Sequence, residues 1–234
     1  MRRSKLYKKQ LEALGDLQIR HSVEEAIKLL KALPGVKFDQ TVEVAYKLGI
    51  DPRKSDQTVR GVCPMPRGTG KTVRVAVVCD GAQAQEAQEA GADVVGYEDL
   101  VQKIKDGFQD FDTLIATPEA MKMVRPLGRQ LGPRGLMPNP KTGTVTDAVG
   151  AAVREAKAGR AEFRADRGAC IHVPIGKFSF ETEALQENFD ALADAIQKAR
   201  PASAKGTYIL SCSISGTMTP GLKINLKELA KVAK

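Results

Sequence analysis

The first fifty residues contain a helix signal followed by a strand signal. Ser22 is followed three residues later by Glu25, a spacing typical of a capping box at a helix N-terminus. The Pro-Gly pair at residues 34–35 ends this predicted helix. Residues 41–48 alternate with a period of two, which predicts a half-buried strand. Residues 51–62 are irregular, and no regular element is predicted there.

The middle of the chain alternates short apolar runs with segments rich in helix formers. Strands are predicted at residues 73–78, 92–96 and 111–116, and helices at residues 83–90, 97–106 and 148–158. Glycine follows each of these helices, as is common at helix C-termini. Strand–helix alternation with short connections predicts a small parallel α/β domain.

Strand patterns return towards the C-terminus. Residues 161–174 contain two extended runs around a turn at residues 166–168, which predicts a β-hairpin. An amphipathic helix is predicted at residues 182–199, with one apolar face formed by Leu185, Phe189, Leu192 and Ile196. A strand is predicted at residues 206–215, and residues 228–232 form at most a frayed helical tail.

These elements predict a discontinuous protein of two domains. Residues 1–67 and 160–234 would form a split α+β domain, and residues 68–159 an inserted Rossmann-like three-layer α/β domain. The linkers would be residues 63–70 and a point near Gly159, and two adjacent connections would act as a hinge. The alternative is two consecutive domains. It is weaker because the two ends share their strand-rich character and their charge.

The charge of the chain is concentrated at its ends. The 234 residues carry a formal net charge of +8. Residues 71–159 contribute −1 and the remainder contributes +9. A moderately basic balance is compatible with a polyanionic partner without proving one. If such a partner exists, the split domain is the expected binding surface.

Several classes of protein are disfavoured. The basic N-terminus is not followed by an apolar core, so no secretory signal is expected, and the apolar stretches are too short to span a bilayer. The four cysteines have no C-x-x-C spacing and the two histidines are far apart in sequence, so neither a zinc site nor a cofactor is expected. Reduced thiols are the preferred interpretation.

Residues 68–72 read Gly-Thr-Gly-Lys-Thr and resemble part of a phosphate-binding loop. The full pattern requires glycine where the chain has Met65, and the predicted strand follows the motif rather than preceding it. No G-x-S-x-G, H-E-x-x-H or D-F-G pattern is present. We therefore expect no enzyme, although a nucleotide-binding enzyme built on the inserted domain stays the rival from another class.

Residues 121–146 form the most unusual segment, in which proline and glycine restrict the backbone and lysine and arginine recur. One interpretation is an ordered surface loop without a ligand. The other is a second contact to an RNA backbone or another partner. The basic residues of this possible contact are Arg129, Arg134 and Lys141.

In this segment the chain resembles the universal ribosomal protein L1 family of bacterial type. The signature is residues 131–141, Leu-Gly-Pro-Arg-Gly-Leu-Met-Pro-Asn-Pro-Lys. Further blocks that resemble the family in order are residues 37–43, 67–77, 163–172, 175–177, 204–206 and 217–218. The resemblance covers nearly the whole chain.

The resemblance implies a function. Such proteins bind the mobile stalk of 23S rRNA near the E site of the large subunit and assist release of deacylated tRNA. Bacterial members also repress translation of their own operon mRNA. The expected partners are thus 23S rRNA, E-site tRNA and that mRNA, for a cytoplasmic protein present as a monomer in the 50S subunit. The alternative is a repressor outside the ribosome.

The resemblance also implies site residues, which fall in two patches with a neighbouring hairpin. The first patch is Lys37, Phe38, Thr41 and Glu43. The second, assigned to the loop after the last long strand, is Ser211, Thr217 and Met218. The hairpin contributes Arg164, Asp166, Arg167 and His172. Cationic side chains would neutralise phosphates, hydroxyls would reach 2′-OH groups or base edges, and Phe38 could either contact RNA or position its neighbours.

Two residues depart from the family pattern. The chain has Gly216 where Thr or Ser usually precedes the Thr-Met pair, and Thr219 where Gly usually follows it. Glycine would let the loop backbone lie close to RNA, whereas Thr219 adds a branched side chain. We expect this loop to differ in conformation or to bind less tightly.

Overall fold

The computed structural model describes residues 3–226, apart from the side chains of Ser55, Ala82 and Lys141. The chain forms two compact units. Unit 1 comprises the residues up to Gly70 and those from Ala161 onward, and unit 2 comprises Lys71–Arg160. These boundaries lie within three residues of the predicted ones. The separate roles of the two units stay a prediction.

The regular elements are mixed along the chain. The helices are α1 Lys5–Leu14, α2 Val23–Ala32, α3 Ala82–Glu89, α4 Glu98–Lys105, α5 Met121–Val124, α6 Gly128–Leu131, α7 Val149–Ala158 and α8 Thr182–Lys198. The strands are β1 Arg20–His21, β2 Thr41–Leu48, β3 Arg60–Pro64, β4 Val75–Val78, β5 Val94–Gly96, β6 Thr113–Ala116, β7 Arg160–Arg164, β8 Cys170–Lys177, β9 Ile209–Gly216 and β10 Leu222–Ile224. Single 3₁₀ turns occupy Ser55–Gln57, Arg125–Leu127 and Pro140–Thr142.

Unit 1 contains a five-stranded sheet with the order β1-β10-β9-β2-β8. Strand β2, which lies next to the edge strand β8, is antiparallel to both β8 and β9. At the other edge β10 is antiparallel to β9 and β1 is parallel to β10. Strands from both ends of the sequence therefore form one sheet.

Among residues 3–226, helices cover one face of this sheet and leave the other face uncovered. Alternate residues of β2 are buried, namely Val42, Val44, Tyr46 and Leu48. They share one apolar core with the buried faces of α2 and α8, where the Phe189 ring stacks on that of Tyr46 at 6.3 Å. The capping box of α2 is confirmed, because Ser22 Oγ accepts from Glu25 N and Glu25 Oε2 accepts from Ser22 N. The opposite face of β2 is therefore available to a binding partner.

The predicted hairpin is wrong. Strand β8 pairs with β2, whereas β7 forms a separate two-stranded sheet with β3. The partner strand β3 lies where no element was predicted, because Gly61 and Pro64 weaken the strand pattern. Gly61 is needed there, since a Cβ atom at this position would lie 2.7 Å from the Phe163 ring.

The predicted linker at residues 63–70 is also corrected, because this segment is fastened to unit 1. The fully buried Asn188 of α8 accepts from Arg67 N at 3.0 Å and donates to the carbonyls of Gly68 and Ile175 at 2.9 and 2.7 Å. The Arg67 guanidinium makes two hydrogen bonds to the Glu187 carboxylate. The chain therefore leaves unit 1 near Gly70, later than the composition indicates.

Unit 2 is built on a three-stranded parallel sheet with the order β5-β4-β6. Ala76 and Val78 of the central strand face a core that includes α4 and α5. Val75 and Val77 face the opposite core, formed with α3 and α7. Helices therefore cover both faces, as the strand–helix alternation predicts.

Several elements were not predicted. The sequence does not predict the short strands β1 and β10 or the helix α1, and the segment at residues 121–146 contains short helices as well as loop. The predicted tail at residues 228–232 lies outside the described residues. Within the described part of the chain, no helix has both the length and the apolar character needed to cross a bilayer.

Candidate nucleic-acid interface

The uncovered face of the five-stranded sheet is a polar surface, which we call the outer face. On β2 it presents Thr41, Glu43, Ala45 and Lys47, the alternates of the buried residues. The register places Pro174 and Ser215 beside Glu43, His172 and Ser213 beside Ala45, and Cys170 and Ser211 beside Lys47. Small and hydroxyl side chains thus predominate between the charged ones.

One end of the outer face is a hydrogen-bonded cluster around Thr41. Thr217 N donates to Thr41 O at 3.1 Å, and Thr217 Oγ1 accepts from Thr41 N at 3.2 Å. Lys177 Nζ donates to Thr41 Oγ1 at 2.9 Å. The first patch and the Thr-Met loop, which are far apart in sequence, therefore meet at this end of the sheet.

Two apolar side chains stand out at the same end. Phe38 is 53% exposed and Met218 is 50% exposed, although both are large and apolar. The backbone beneath them is fixed, because the buried Gln40 accepts from Met218 N through Oε1 at 2.9 Å. Exposed Lys37 precedes Phe38. Apolar and cationic groups on a fixed backbone suit stacking on unpaired bases beside a phosphate.

The two departures from the family pattern are partners in this structure. Thr219 Oγ1 accepts from Gly216 N at 2.7 Å and donates to Gly216 O at 3.4 Å, which closes the turn that presents Thr217 and Met218. A Cβ atom on Gly216 would lie 2.5 Å from the Phe178 ring. The Thr219 side chain therefore forms hydrogen bonds within the turn and stabilises it.

The other end of the outer face is a tight loop between β7 and β8. Asp166 Oδ1 accepts from Cys170 N at 2.7 Å and from Gly168 N at 2.8 Å. These backbone amides hold the pKa of the Asp166 carboxyl below its ordinary value. Lys47 Nζ donates to Gly168 O. Asp166 thus shapes the loop, whereas Arg167 is exposed on it.

The predicted residues extend along the sheet instead of converging on one point. Thr41 and Lys47 are six residues apart on one strand, which is about 20 Å. Ser211 lies within β9 opposite Lys47, so its assignment to the loop with Thr217 is corrected. His172 lies midway, and Arg164 is exposed at the end of β7 in the smaller sheet. The outer face is therefore an elongated surface.

Sequence reasoning missed several residues of this surface. Lys177 and Gln40 organise the Thr41 end, and Lys47, Ser213 and Ser215 lie on the outer face. The period-two pattern of β2 already placed Lys47 on the same face as Glu43. The serines of β9 could not be assigned without its register against β2.

The secondary contact residues lie in unit 2. Arg129 is exposed on α6, and Arg134 is exposed at a turn where Gly135 N donates to Gly132 O at 3.0 Å. The Lys141 side chain lies outside the described part of the structure. Its segment is fixed by Thr142 Oγ1 and Thr144 Oγ1, which are 3.0 Å apart and both bond to Asn139 O. Within residues 3–226 no three His, Cys, Asp or Glu side chains are grouped as metal ligands.

These features define a mixed α/β protein with an elongated, polar and uncovered sheet face. The sequence profile of the Ribosomal protein L1p/L10e family matches residues 29–220. The chain belongs to this family.

Relatives from several bacteria match along most of their length. The large ribosomal subunit protein uL1 of Saccharophagus degradans is 57% identical over 209 residues, which cover 89% of this chain and 90% of the relative. The protein of the same name from Teredinibacter turnerae is 56% identical over 214 residues, or 92% and 93% of the two chains. That from Chromobacterium violaceum is 53% identical over 215 residues, again 92% and 93%.

Proposed function

We propose that this protein is a structural constituent of the large ribosomal subunit that holds the stalk of 23S rRNA on the outer face of unit 1. The observation that carries the proposal is the cluster in which Thr41, Thr217 and Lys177 are bonded together beside exposed Phe38 and Met218. The family to which the chain belongs supports the same proposal.

The outer face suits RNA more than a protein partner. Lysine and arginine at both ends would neutralise phosphates, and the serine and threonine hydroxyls between them can bond 2′-OH groups. Small side chains let the wide minor groove of an RNA helix approach the strands. The role is binding, and no step of catalysis is assigned to any residue.

Further partners follow from the same proposal. A stalk protein near the E site would contact deacylated tRNA and assist its release. An RNA site that mimics the stalk in the operon mRNA would make the protein a repressor of its own translation. We propose both roles for this chain, which would act as one copy per subunit in the cytoplasm.

Binding to stalk RNA is expected to weaken steeply as salt rises. Each neutralised phosphate adds about 0.7 to 0.9 to the slope of log affinity against log salt. Three or more contacts from the cations of the outer face would give a slope of about −2 or steeper. Filter binding of the full chain between low and physiological salt measures this slope. A slope near zero would contradict the proposal. In a separate experiment, co-sedimentation with 50S particles distinguishes the ribosomal role from a repressor outside the ribosome.

A fragment that joins residues 1–70 to residues 161–234 is expected to fold and to keep most of the affinity for stalk RNA. The reason is that the outer face and its core belong to unit 1. Circular dichroism verifies folding, and the same binding assay compares the fragment with the full chain. A well-folded fragment that fails to bind would move the site to unit 2.

A further inference from the structure

Helix α1 and the residue before its N-cap carry exposed cations. Arg3, Lys5, Lys8 and Lys9 are all exposed. Arg3 lies over the Tyr7 ring at 5.4 Å, and none of the three lysines forms an ion pair with another described residue. The first turn contains no acidic side chain. The N-terminal half of the helix is therefore a concentrated positive surface. We call its three lysines, Lys5, Lys8 and Lys9, the α1 cation cluster.

This charge pattern opposes the stability of the helix. A helix N-terminus has a partial positive charge, so cations are unfavourable there. Lys5 is three residues from Lys8 and four from Lys9, spacings at which like charges on a helix repel. Glu12, four residues after Lys8, is the one acidic side chain of α1 and forms no ion pair with these lysines in the described structure. A local conflict of this kind is typical of a functional surface.

The helix is nevertheless fixed to unit 1. Ser4 Oγ accepts from Tyr7 N at the helix start. The fully buried Gln10 donates through Nε2 to Pro34 O at 2.8 Å. Leu14 packs against the core at the other end. Because Pro34 is three residues before Lys37, the α1 cation cluster is anchored to the segment that leads into the candidate interface.

The apolar side of helix α1 is partly buried within the protein. Leu6, Tyr7 and Leu11 are half-buried, as is Leu14 against the core. An amphipathic helix that lies on a bilayer needs a free apolar face. The exposed residues of α1 are the three lysines, Glu12 and Ala13, and its cationic N-terminal half suits a phosphate backbone.

We propose that the α1 cation cluster is a second RNA-binding element that contacts phosphates without reading sequence. This inference rests on the proposed function, because it extends the RNA footprint of unit 1 beyond the outer face. Lysine contacts to phosphates position a nucleic acid and strengthen binding uniformly across sequences.

The test uses the full chain with the variant K5Q/K8Q/K9Q and the matched control K28Q/K103Q/K198Q. Both variants remove three positive charges, and the control lysines are exposed on α2, α4 and α8. The probes are stalk RNA and a scrambled RNA of the same length. We expect the α1 variant to reduce the salt slope by about 2 and the affinity for both RNAs by about tenfold, with their affinity ratio unchanged. The control should change the slope by less than half as much.

The outcomes separate this inference from the proposed function. Equal slope changes in the two triple variants would overturn the α1 contact, since net charge alone would then account for the effect. Loss of binding to phosphatidylglycerol vesicles with unchanged RNA affinity would also overturn it, in favour of a membrane surface. A wild-type chain that fails to prefer stalk RNA would contradict the proposed function, whereas a reduced slope on both RNAs would still support the α1 contact. Thermal unfolding of the α1 variant should occur at an unchanged or higher temperature, because the variant relieves repulsion.

Discussion

Thr219→Val should weaken binding to stalk RNA by about tenfold, which corresponds to about 1.4 kcal/mol. Valine has nearly the shape of threonine but cannot accept the hydrogen bond from Gly216 N, which Thr219 Oγ1 now accepts at 2.7 Å. Gly216 is buried, and an unpaired buried amide costs about 1 to 3 kcal/mol. We expect the turn to rearrange and to displace Thr217 and Met218. Titration of labelled RNA at fixed salt measures the loss.

The matched control for this prediction is Thr219→Ser, which keeps the hydroxyl and removes one methyl group. Its affinity should stay within about twofold of the wild type, because the bond to Gly216 is retained. Equal affinities of the Val and Ser variants would show that the hydroxyl does not hold the turn in its binding conformation. Thermal unfolding of both variants separates a local change in the turn from general loss of the fold.

Asn188→Leu should lower the free energy of unfolding by about 3 to 5 kcal/mol. The Asn188 side chain bonds Arg67 N, Gly68 O and Ile175 O while fully buried, and leucine would leave these three backbone groups without that partner. Urea denaturation followed by circular dichroism measures the change.

The neighbouring residue supplies the control for Asn188. Glu187→Gln weakens the ion pair with Arg67, but both side chains are about half exposed, and exposed pairs contribute little to stability. The urea midpoint of Glu187→Gln should therefore be close to that of the wild type. A similar midpoint for Asn188→Leu would mean that the segment around Arg67 is not fastened through this amide.

The sequence predicts an element most accurately where a clear periodic pattern or capping signal marks both its type and its ends. Strand β2 was predicted at residues 41–48, because its alternation continues without interruption from Thr41 to Leu48. Helix α2 was predicted from its capping box for the same reason. In contrast, β1 and β10 have two and three residues, too few to show a period. They form because β9 provides a partner for β10, and β10 provides one for β1.

The hairpin prediction is wrong because strand pairing depends on distant partners that the local sequence does not reveal. The turn residues at 166–168 do reverse the chain, but hydrogen bonding beyond the turn depends on which strands are available. Strand β7 pairs with β3, which packs Gly61 beneath Phe163, and β8 pairs with β2. A glycine that indicates a break in one sequence segment can be a packing requirement for a distant one.

The sequence predicted which residues belong to the candidate site better than it predicted how they contact one another. The resemblance supplied Thr41 and Thr217, and the structure joins them through backbone and hydroxyl bonds. It did not supply Gln40 or Lys177, whose roles depend on contacts between residues more than a hundred positions apart. The pairing of Gly216 with Thr219 likewise becomes visible only when the turn is closed.

The four thiols of the chain differ in accessibility, and this has a practical consequence. Cys63, Cys79 and Cys212 are buried, and burial raises the pKa of each, to about 12 for Cys212. Cys170 is only half-buried, at the start of β8 beside Lys47. The native chain therefore offers one attachment point for a thiol-reactive fluorophore, already located at the loop end of the outer face and requiring no engineered cysteine.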